Sequence, residues 1–461
     1  MSRSVRLVPA AAALLAVTVT ACGGGVHGTP GGSGVRDPYF PKAGNGGYDV
    51  GHYDLTLGYT PAGRRLTGTA VITARATQDL SAFDLDLAGL HVDSVTVEGR
   101  KALFNRAGQE LTVRPHDDLR KGETFRTTVR YSGTPRTLTD PDGSEEGWLP
   151  TADGALALGE PVGSMAWFPG NDHPSDKATY DVAVTVPEDL QAVSNGELTE
   201  RSSKGGRTTY RWHTAQPMAS YLATVAIGHF DITRSTGPHG LPIVTAVDPT
   251  QAKAGAKVLA KLPGIIKWEE TNFGPYPFSS TGVIIDRPDD AGYALETQNR
   301  PFFPGAPDIG TLVHELAHEW YGDSVTPKSW QDMWLNEGFA TYAEWLYEED
   351  FGDKSAQQTF MDHYNGDHEE IWAYPPAKPS SAAHISDSPV YQRGAMVLQK
   401  IRQKVGDDTF YDIIQGWAAA RRHGSASTAD FTAFVEKKAP HKDFTEIWKD
   451  WLYGDRKPSH P

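Results

Sequence analysis

Short runs of alternating apolar and polar residues fill the chain from about residue 48 to about residue 248. The run 53–57 alternates strictly, and turn-forming Gly, Pro, Asp and Asn separate the runs. Since successive side chains of a strand face opposite sides of a sheet, this pattern predicts an antiparallel β domain. We expect strands at 53–57, 69–76, 83–87, 92–97, 124–131, 180–186 and 208–212.

After Pro249 the apolar positions take a helical spacing. The sequence therefore predicts an α+β protein, with an N-terminal antiparallel β domain over 48–248, a mostly helical domain over 249–455 and a tail at 456–461. We expect no further domain after the last helix. The predicted helices are 251–272, with a break at Pro263-Gly264, 309–322, 336–350, 391–405, 408–422, 428–438 and 443–453, with one strand at 282–286.

Charge and composition exclude some partners. The 461 residues carry 58 acidic and 43 Lys or Arg side chains, a formal net charge of −15. Phosphate binding needs clustered Lys and Arg, so we expect no nucleic-acid partner and no broad basic face for anionic lipid. The apolar and charged fractions are typical of a soluble globular protein, which we expect to be a monomer.

The first 22 residues are typical of a targeting segment. Arg3 and Arg6 precede an apolar run that ends in Val19-Thr20-Ala21-Cys22, which resembles a bacterial lipobox. We therefore expect a lipoprotein signal peptide over 1–22, an extracytoplasmic location and membrane contact only through a lipid on Cys22. The alternative is an ordinary signal peptide with a chance cysteine. Residues 23–47 are rich in Gly, Pro and Ser, which predicts a flexible linker.

The strongest chemical signal is His314-Glu315-Leu316-Ala317-His318. On a helix, His314 and His318 lie one turn apart on the same side and can bind one metal ion. Glu315 can then reach the attacking water. Glu337, after eighteen intervening residues, supplies a third ligand and leaves a coordination position open, as in catalytic zinc sites. Cys22 is the only cysteine, so a Cys-rich zinc site is excluded. The alternative is a helix with two core histidines.

These residues resemble the gluzincin metallopeptidases, specifically the aminopeptidase N family. The family pattern H-E-L-x-H-x-W, V-T-x-x-x-W and W-L-N-E-G-F-A is matched at 314–320, 325–330 and 334–340. The resemblance implies one zinc ion, a saddle-like β domain and a thermolysin-like catalytic domain. Larger members add a β-sandwich and a helical domain, and we expect this chain to stop before both, with a more open cleft.

The resemblance also implies residues that bind the substrate's free amine. The family's G-x-M-E-N glutamate corresponds to Glu296, although Tyr293, Leu295 and Thr297 replace the neighbouring Gly, Met and Asn. A second amine contact corresponds to Glu160, in a Q-x-E-P stretch whose glutamine is replaced by Leu158. Either glutamate could instead be a solvent-facing carboxylate.

Tyr391 matches the family's Y-x-x-G-A tyrosine, whose hydroxyl stabilises the oxyanion. A phenol is a neutral donor at pH 7 and suits that role. The alternative is an aromatic residue that packs on the core at the start of a helix. Glu344 lies on the same helix face as Glu337, where it could orient a ligand or simply face outward.

The resulting prediction is a zinc aminopeptidase that acts on peptides with a free N-terminus, with Glu315 as general base. Two alternatives stay open. One is a zinc endopeptidase with the same chemistry, which the change at Leu158 keeps possible. The other is a surface lipoprotein that binds peptides without cleaving them. The preferred first residue does not follow from the sequence.

Overall fold

The computed structural model describes residues 27–461, so the predicted signal peptide and Cys22 lie outside the described residues. The first part of the described chain is β-sheet. In β2, the side chains of Tyr53, Leu55 and Leu57 are buried while those of Asp54 and Thr56 face out, as the alternation predicts. The strands are β1 (Thr29–Pro30), β2 (Tyr48–Thr60), β3 (Arg65–Ala76), β4 (Leu80–Asp86), β5 (His91–Val97), β6 (Arg100–Lys101), β7 (Leu103–Ala107), β8 (Glu110–Arg114), β9 (Thr124–Gly133), β10 (Thr137–Thr139), β11 (Glu145–Pro150), β12 (Ala155–Leu158), β13 (Lys177–Pro187), β14 (Gln191–Ser194), β15 (Glu197–Lys204), β16 (Arg207–Ala219) and β17 (Val225–Gly228).

These strands form three sheets. The largest has the order β15-β16-β13-β2-β3-β9-β5-β6, the second β10-β11-β12-β17-β14 and the third β1-β4-β8-β7. Neighbouring strands are antiparallel, except that β2 pairs with β13, and β1 with β4, in parallel. Each predicted strand lies within one of these elements or overlaps it, which confirms the β-rich N-terminal domain.

The predicted domain boundary at residue 248 is wrong. Strands β18 (Asp231–Thr236), β19 (Pro242–Val247), β20 (Thr281–Asp286) and β21 (Phe302–Pro304) form one sheet in that order, and β19 runs parallel to β20. Residues 231–247 therefore belong to the second domain. Alternation of apolar and polar residues predicts a strand but does not indicate which sheet the strand joins. The change from alternating to helical spacing at Pro249 therefore does not mark the boundary between the domains.

The second domain is mostly helical. Its first predicted helix is divided just before Pro263, which occupies the first turn of the second segment, where proline is tolerated. The helices are α1 (Ala252–Leu259), α2 (Leu262–Phe273), α3 (Ile309–Ala317), α4 (Trp334–Phe351), α5 (Ala356–Asn365), α6 (Gly394–Val405), α7 (Asp407–Ala420) and α8 (Thr428–Lys438), with π-helical turns at Pro389–Arg393 and Ile447–Leu452 and a small parallel sheet of β22 (Val325–Pro327) and β23 (Gly424–Ala426).

The prediction of a flexible linker is wrong for residues 27–47. Strand β1 joins β4, and the buried Asp37 accepts hydrogen bonds from Ser329 Oγ (2.7 Å) and Trp330 N (3.0 Å) of the second domain. Asn45 donates to Asp86 Oδ2 of the first domain at 3.0 Å. Composition predicts flexibility, but these buried polar contacts fix the segment across both domains. Among residues 27–461, no helix has the length and apolarity that a membrane span needs.

Candidate active site

Helix α3 positions the first two predicted metal ligands, since His314 lies within it and His318 caps its C-terminal end. Asp308 caps its start by accepting a hydrogen bond from Thr311 N at 2.8 Å. His314 and His318 follow one turn apart, and the Nε2 atoms of both approach Glu337 Oε2, at 3.1 and 3.4 Å. Glu337 comes from the first turn of α4. The helix–helix packing thus brings the three side chains together, as the sequence predicts.

The other ring nitrogen of each histidine is also engaged. His314 Nδ1 lies 2.7 Å from Glu344 Oε1, and His318 Nδ1 lies 3.1 Å from the Tyr321 carbonyl oxygen. Both acceptors require a proton on Nδ1, so Nε2, the nitrogen that faces Glu337, is the atom of each ring that can bind a metal. Glu344 is therefore a positioning residue for a ligand rather than an outward-facing glutamate.

This donor set fits zinc. Ligand atoms of His314, His318 and Glu337 all lie within 4.8 Å of one another, and the three residues offer two imidazoles and one carboxylate. Burial by itself raises the pKa of Glu337, but the neighbouring histidines hold it at about 2. Burial lowers the pKa of His318, yet Glu337 and Glu296 outweigh this and raise it to about 9. A positive charge between the three ligand atoms is thus favourable. A bound metal ion would supply that charge in place of the protons.

Glu315 faces the same pocket. One of its carboxylate oxygens lies within 4.8 Å of ligand atoms of Glu296 and His318. The side chain is buried, and burial raises the pKa of Glu315 to about 8 although the neighbouring histidines lower it. A carboxylate in such a position can exchange protons near neutral pH.

The two predicted amine-binding glutamates lie next to the metal ligands. Glu160, Glu296 and Glu337 each offer an oxygen within 4.8 Å of the others. Glu296 Oε1 accepts a hydrogen bond from Asn336 Nδ2 at 2.9 Å. Burial, and then the charge of Glu296, raises the pKa of Glu160 well above its usual range. A cation bound between the two carboxylates would relieve this repulsion.

The loop that carries Glu160 follows strand β12 and is held from the neighbouring strand. Glu146, on β11, accepts a hydrogen bond from Val162 N at 3.1 Å. Leu158 is fully buried at the end of β12 and does not line the pocket, so it does not supply the polar contact that the glutamine of the family pattern would.

Tyr391 completes the predicted set. Its ring stacks on that of His314, with 5.8 Å between the centroids and 11° between the planes. Burial, and then the charge of Glu337, raises the pKa of Tyr391 well above its usual value. The phenol therefore keeps its proton and can donate a hydrogen bond into the pocket.

A single cavity of about 290 Å³ unites all of these groups at the junction of the two domains. It is lined by each of the seven predicted site residues, His314, Glu315, His318, Glu337, Glu296, Glu160 and Tyr391. Sequence reasoning missed the part of the lining that comes from the β10–β11 hairpin, Asp140, Asp142 and Ser144, and also missed Ser386. The Asp-Pro-Asp-Gly turn predicts only a loop, because nothing local indicates where a hairpin tip will pack.

Both domains match known protein families. The Peptidase M1 N-terminal domain matches residues 50–222, and the Peptidase family M1 domain matches residues 308–451. A mutant of the M1 zinc metallopeptidase of Deinococcus radiodurans, solved with a Tyr-Ser-Ala substrate, has a similar structure, with a TM-score of 0.86 and 30% identity. The alignment covers 93% of this chain and 99% of that one.

Curated relatives of similar sequence are aminopeptidases. Probable aminopeptidase 2 of Sulfurisphaera tokodaii is 27% identical over 402 residues, which are 81% of this chain and 50% of the relative. Human glutamyl aminopeptidase is 27% identical over 326 residues, which are 63% of this chain and 33% of the relative. The chain thus spans half or less of the length of these relatives.

Proposed function

This chain belongs to peptidase family M1, and we propose that it is a zinc-dependent aminopeptidase that removes the N-terminal residue of peptides. The observation that carries the proposal is the closeness of the two glutamates to the metal ligands. Oxygens of Glu160, Glu296 and Glu337 lie within 4.8 Å of one another. An ammonium group held by Glu160 and Glu296 therefore places the first peptide carbonyl, two bonds away from the nitrogen, beside the metal ligands.

Substrate binding follows from this arrangement. The side chain of Asn336 fixes one oxygen of Glu296, so the carboxylate is held in place before the substrate arrives. An acetylated N-terminus has no positive charge and would leave the buried carboxylate of Glu296 facing the half-buried carboxylate of Glu160. The site should therefore require a free amine.

The metal would be held by His314, His318 and Glu337. When bound, zinc supplies a Lewis acid that polarises the scissile carbonyl and lowers the pKa of water. The half-buried Glu344–His314 contact and the Tyr321 carbonyl hold the two imidazoles in the tautomer that this role needs.

The protein's own side chains then move the protons. Glu315 accepts a proton from the attacking water and passes it to the leaving amine. Tyr391 donates its hydroxyl hydrogen bond to the carbonyl oxygen as negative charge develops there. Its stacking on His314 supports this role. The bound tripeptide of the Deinococcus radiodurans relative supports a peptide as substrate.

The test is hydrolysis of a panel of aminoacyl p-nitroanilides by the purified chain, beside the same compounds N-acetylated and beside Glu315→Gln. We expect zinc-dependent release that stops with acetylation and falls by about 100- to 10,000-fold in Glu315→Gln, whose zinc content should be unchanged. Cleavage of acetylated substrates would instead identify an endopeptidase. Bound zinc without cleavage of any amide or longer peptide would point to a peptide-binding protein.

We also propose that the enzyme acts outside the cytoplasmic membrane, attached through a lipid on Cys22. The support is the apolar run that ends in the lipobox-like Val19-Thr20-Ala21-Cys22. Cys22 precedes Thr29, where β1 begins, by seven residues, which span at most about 25 Å when extended. We expect palmitate to label the wild-type protein in the membrane fraction. Cys22→Ser should lose the label and be released from that fraction. Unlabelled wild-type protein would refute it.

A further inference from the structure

The pocket holds more carboxyl groups than the proposed reaction uses. Among the described residues 27–461, six carboxylates line it and no Lys or Arg does. Four have roles in the proposed function: Glu337 with the metal, Glu315 with the proton, and Glu160 and Glu296 with the substrate's amine. The two that remain, Asp140 and Asp142, lie on the hairpin tip between β10 and β11.

The sheet register places this hairpin tip beside the amine site. Gly147 of β11 pairs with Leu158 of β12, so the start of β11 lies alongside the chain that continues from β12 to Glu160. Tyr293, from the second domain, closes the wall by donating its hydroxyl to the Glu145 carbonyl oxygen at 3.0 Å. Asp140, Asp142 and Tyr293 thus share one part of the cavity lining, which we call the acidic wall.

Asp140 is the unusual member of the acidic wall. The residue is only 8% exposed, and its Oδ1 is buried without a hydrogen-bond partner. Within residues 27–461, no Lys, Arg or His forms an ion pair with Asp140 or Asp142. Asp142 differs, because its Oδ1 accepts hydrogen bonds from the nitrogen and the hydroxyl of Ser144. Burying a carboxylate without a hydrogen-bond or ionic partner costs free energy. A cation from outside the protein that binds Asp140 would offset this cost.

We propose that the acidic wall binds the side chain of the substrate's N-terminal residue and selects arginine and lysine. The inference rests on the proposed aminopeptidase function, because the amine site fixes which side chain reaches the wall. Asp140 accepts a hydrogen bond from the guanidinium or ammonium group. Asp142 adds negative charge at the rim, and the ring of Tyr293 offers an aromatic surface for the cation or its aliphatic stem.

The test compares lysyl with norleucyl p-nitroanilide, since norleucine has the same carbon chain without the terminal ammonium. Wild type should prefer the lysyl substrate, and Asp140→Asn should reduce the lysyl-to-norleucyl ratio of kcat/KM by about 10- to 100-fold, the usual loss for a hydrogen bond to a charged group. Asp189→Asn is the matched control: it removes one negative charge from an exposed position outside the pocket and should leave the ratio unchanged.

A binding measurement separates this inference from the proposed function. Calorimetric titration of the zinc-loaded protein with lysine hydroxamate and with norleucine hydroxamate reports the preference without turnover. In one outcome, lysine hydroxamate binds more tightly than norleucine hydroxamate, with Asp140→Asn removing the difference, while no substrate is hydrolysed. That result would support the acidic wall as a binding site for a cationic side chain and would refute the proposed aminopeptidase function. Equal binding of the two hydroxamates, or a lysine preference that survives in Asp140→Asn, overturns the acidic wall whatever the activity.

Discussion

The contact between Glu344 and His314 should determine how tightly the protein holds zinc. Glu344 Oε1 lies 2.7 Å from His314 Nδ1. Within residues 27–461, Glu344 is the only residue whose side chain forms a hydrogen bond with this nitrogen. We predict that Glu344→Ala lowers zinc affinity, because the imidazole loses the acceptor that fixes its tautomer and orientation. In Glu344→Gln the amide oxygen can still accept the hydrogen bond, so this variant should lie between Ala and wild type.

The exposure of the pair sets the expected size of the effect. A hydrogen bond to a charged group contributes about 1.5–3 kcal/mol when it is well shielded from water. The His314 side chain is 12% exposed, but that of Glu344 is 38% exposed, so solvent screens the carboxylate in part. We therefore expect the lower end of this range, which corresponds to about a tenfold weaker zinc affinity for Glu344→Ala.

Competition with a chromogenic zinc chelator measures this affinity directly. The matched control is Glu348→Ala, because Glu348 lies one turn further along α4, is exposed and contacts the Asp353 backbone nitrogen at 3.3 Å. The control should bind zinc as wild type does. A zinc affinity of Glu344→Ala within about twofold of wild type would show that the contact does not orient His314, and the reasoning would be wrong.

Two further predictions concern other parts of the molecule. Tyr391→Phe should lower kcat by about 100- to 1,000-fold with little change in KM, because the hydroxyl acts on the developing oxyanion; steady-state kinetics on a leucyl substrate will show this. Asp37→Asn should cost about 2 kcal/mol of unfolding free energy at pH 6, because hydrogen bonds outweigh burial and lower the pKa of Asp37 from 3.8 to about 2. Since the folded pKa is the lower one, this stabilisation is present above about pH 4 and is lost towards pH 2, so urea unfolding curves of the two proteins should converge there.

Much of the site could be predicted from the sequence because its chemistry is encoded locally. His314 and His318 share a helix face through their spacing alone, and Glu337 follows at the start of the next helix. Glu296 and Tyr391 carry no such local signal. Their resemblance to family motifs is what predicts them, and both line the same cavity as the metal ligands.

Most of the features that were missed depend on contacts between residues far apart in the chain. Residues 27–47 have the composition of a linker, yet Asp37 and Asn45 satisfy buried polar groups in both domains. Helix α5 was also missed, although Ser355 and Gln358 form a capping box at its start, which is a local signal for a helix. The boundary at 248 failed because pairing between β19 and β20 is a property of the folded sheet.

Departures from the family pattern carry a different kind of information from matches to it. Matched positions such as Glu315 and Glu337 are those whose chemistry every substrate needs. Tyr293 replaces a glycine of that pattern, and its hydroxyl joins the catalytic domain to the start of β11, beside the hairpin that carries Asp140. A glycine could not make this contact, so the replacement and the acidic wall form one structural unit. Tyr293 is thus the departure from the motif that the proposed selection of the N-terminal side chain would use.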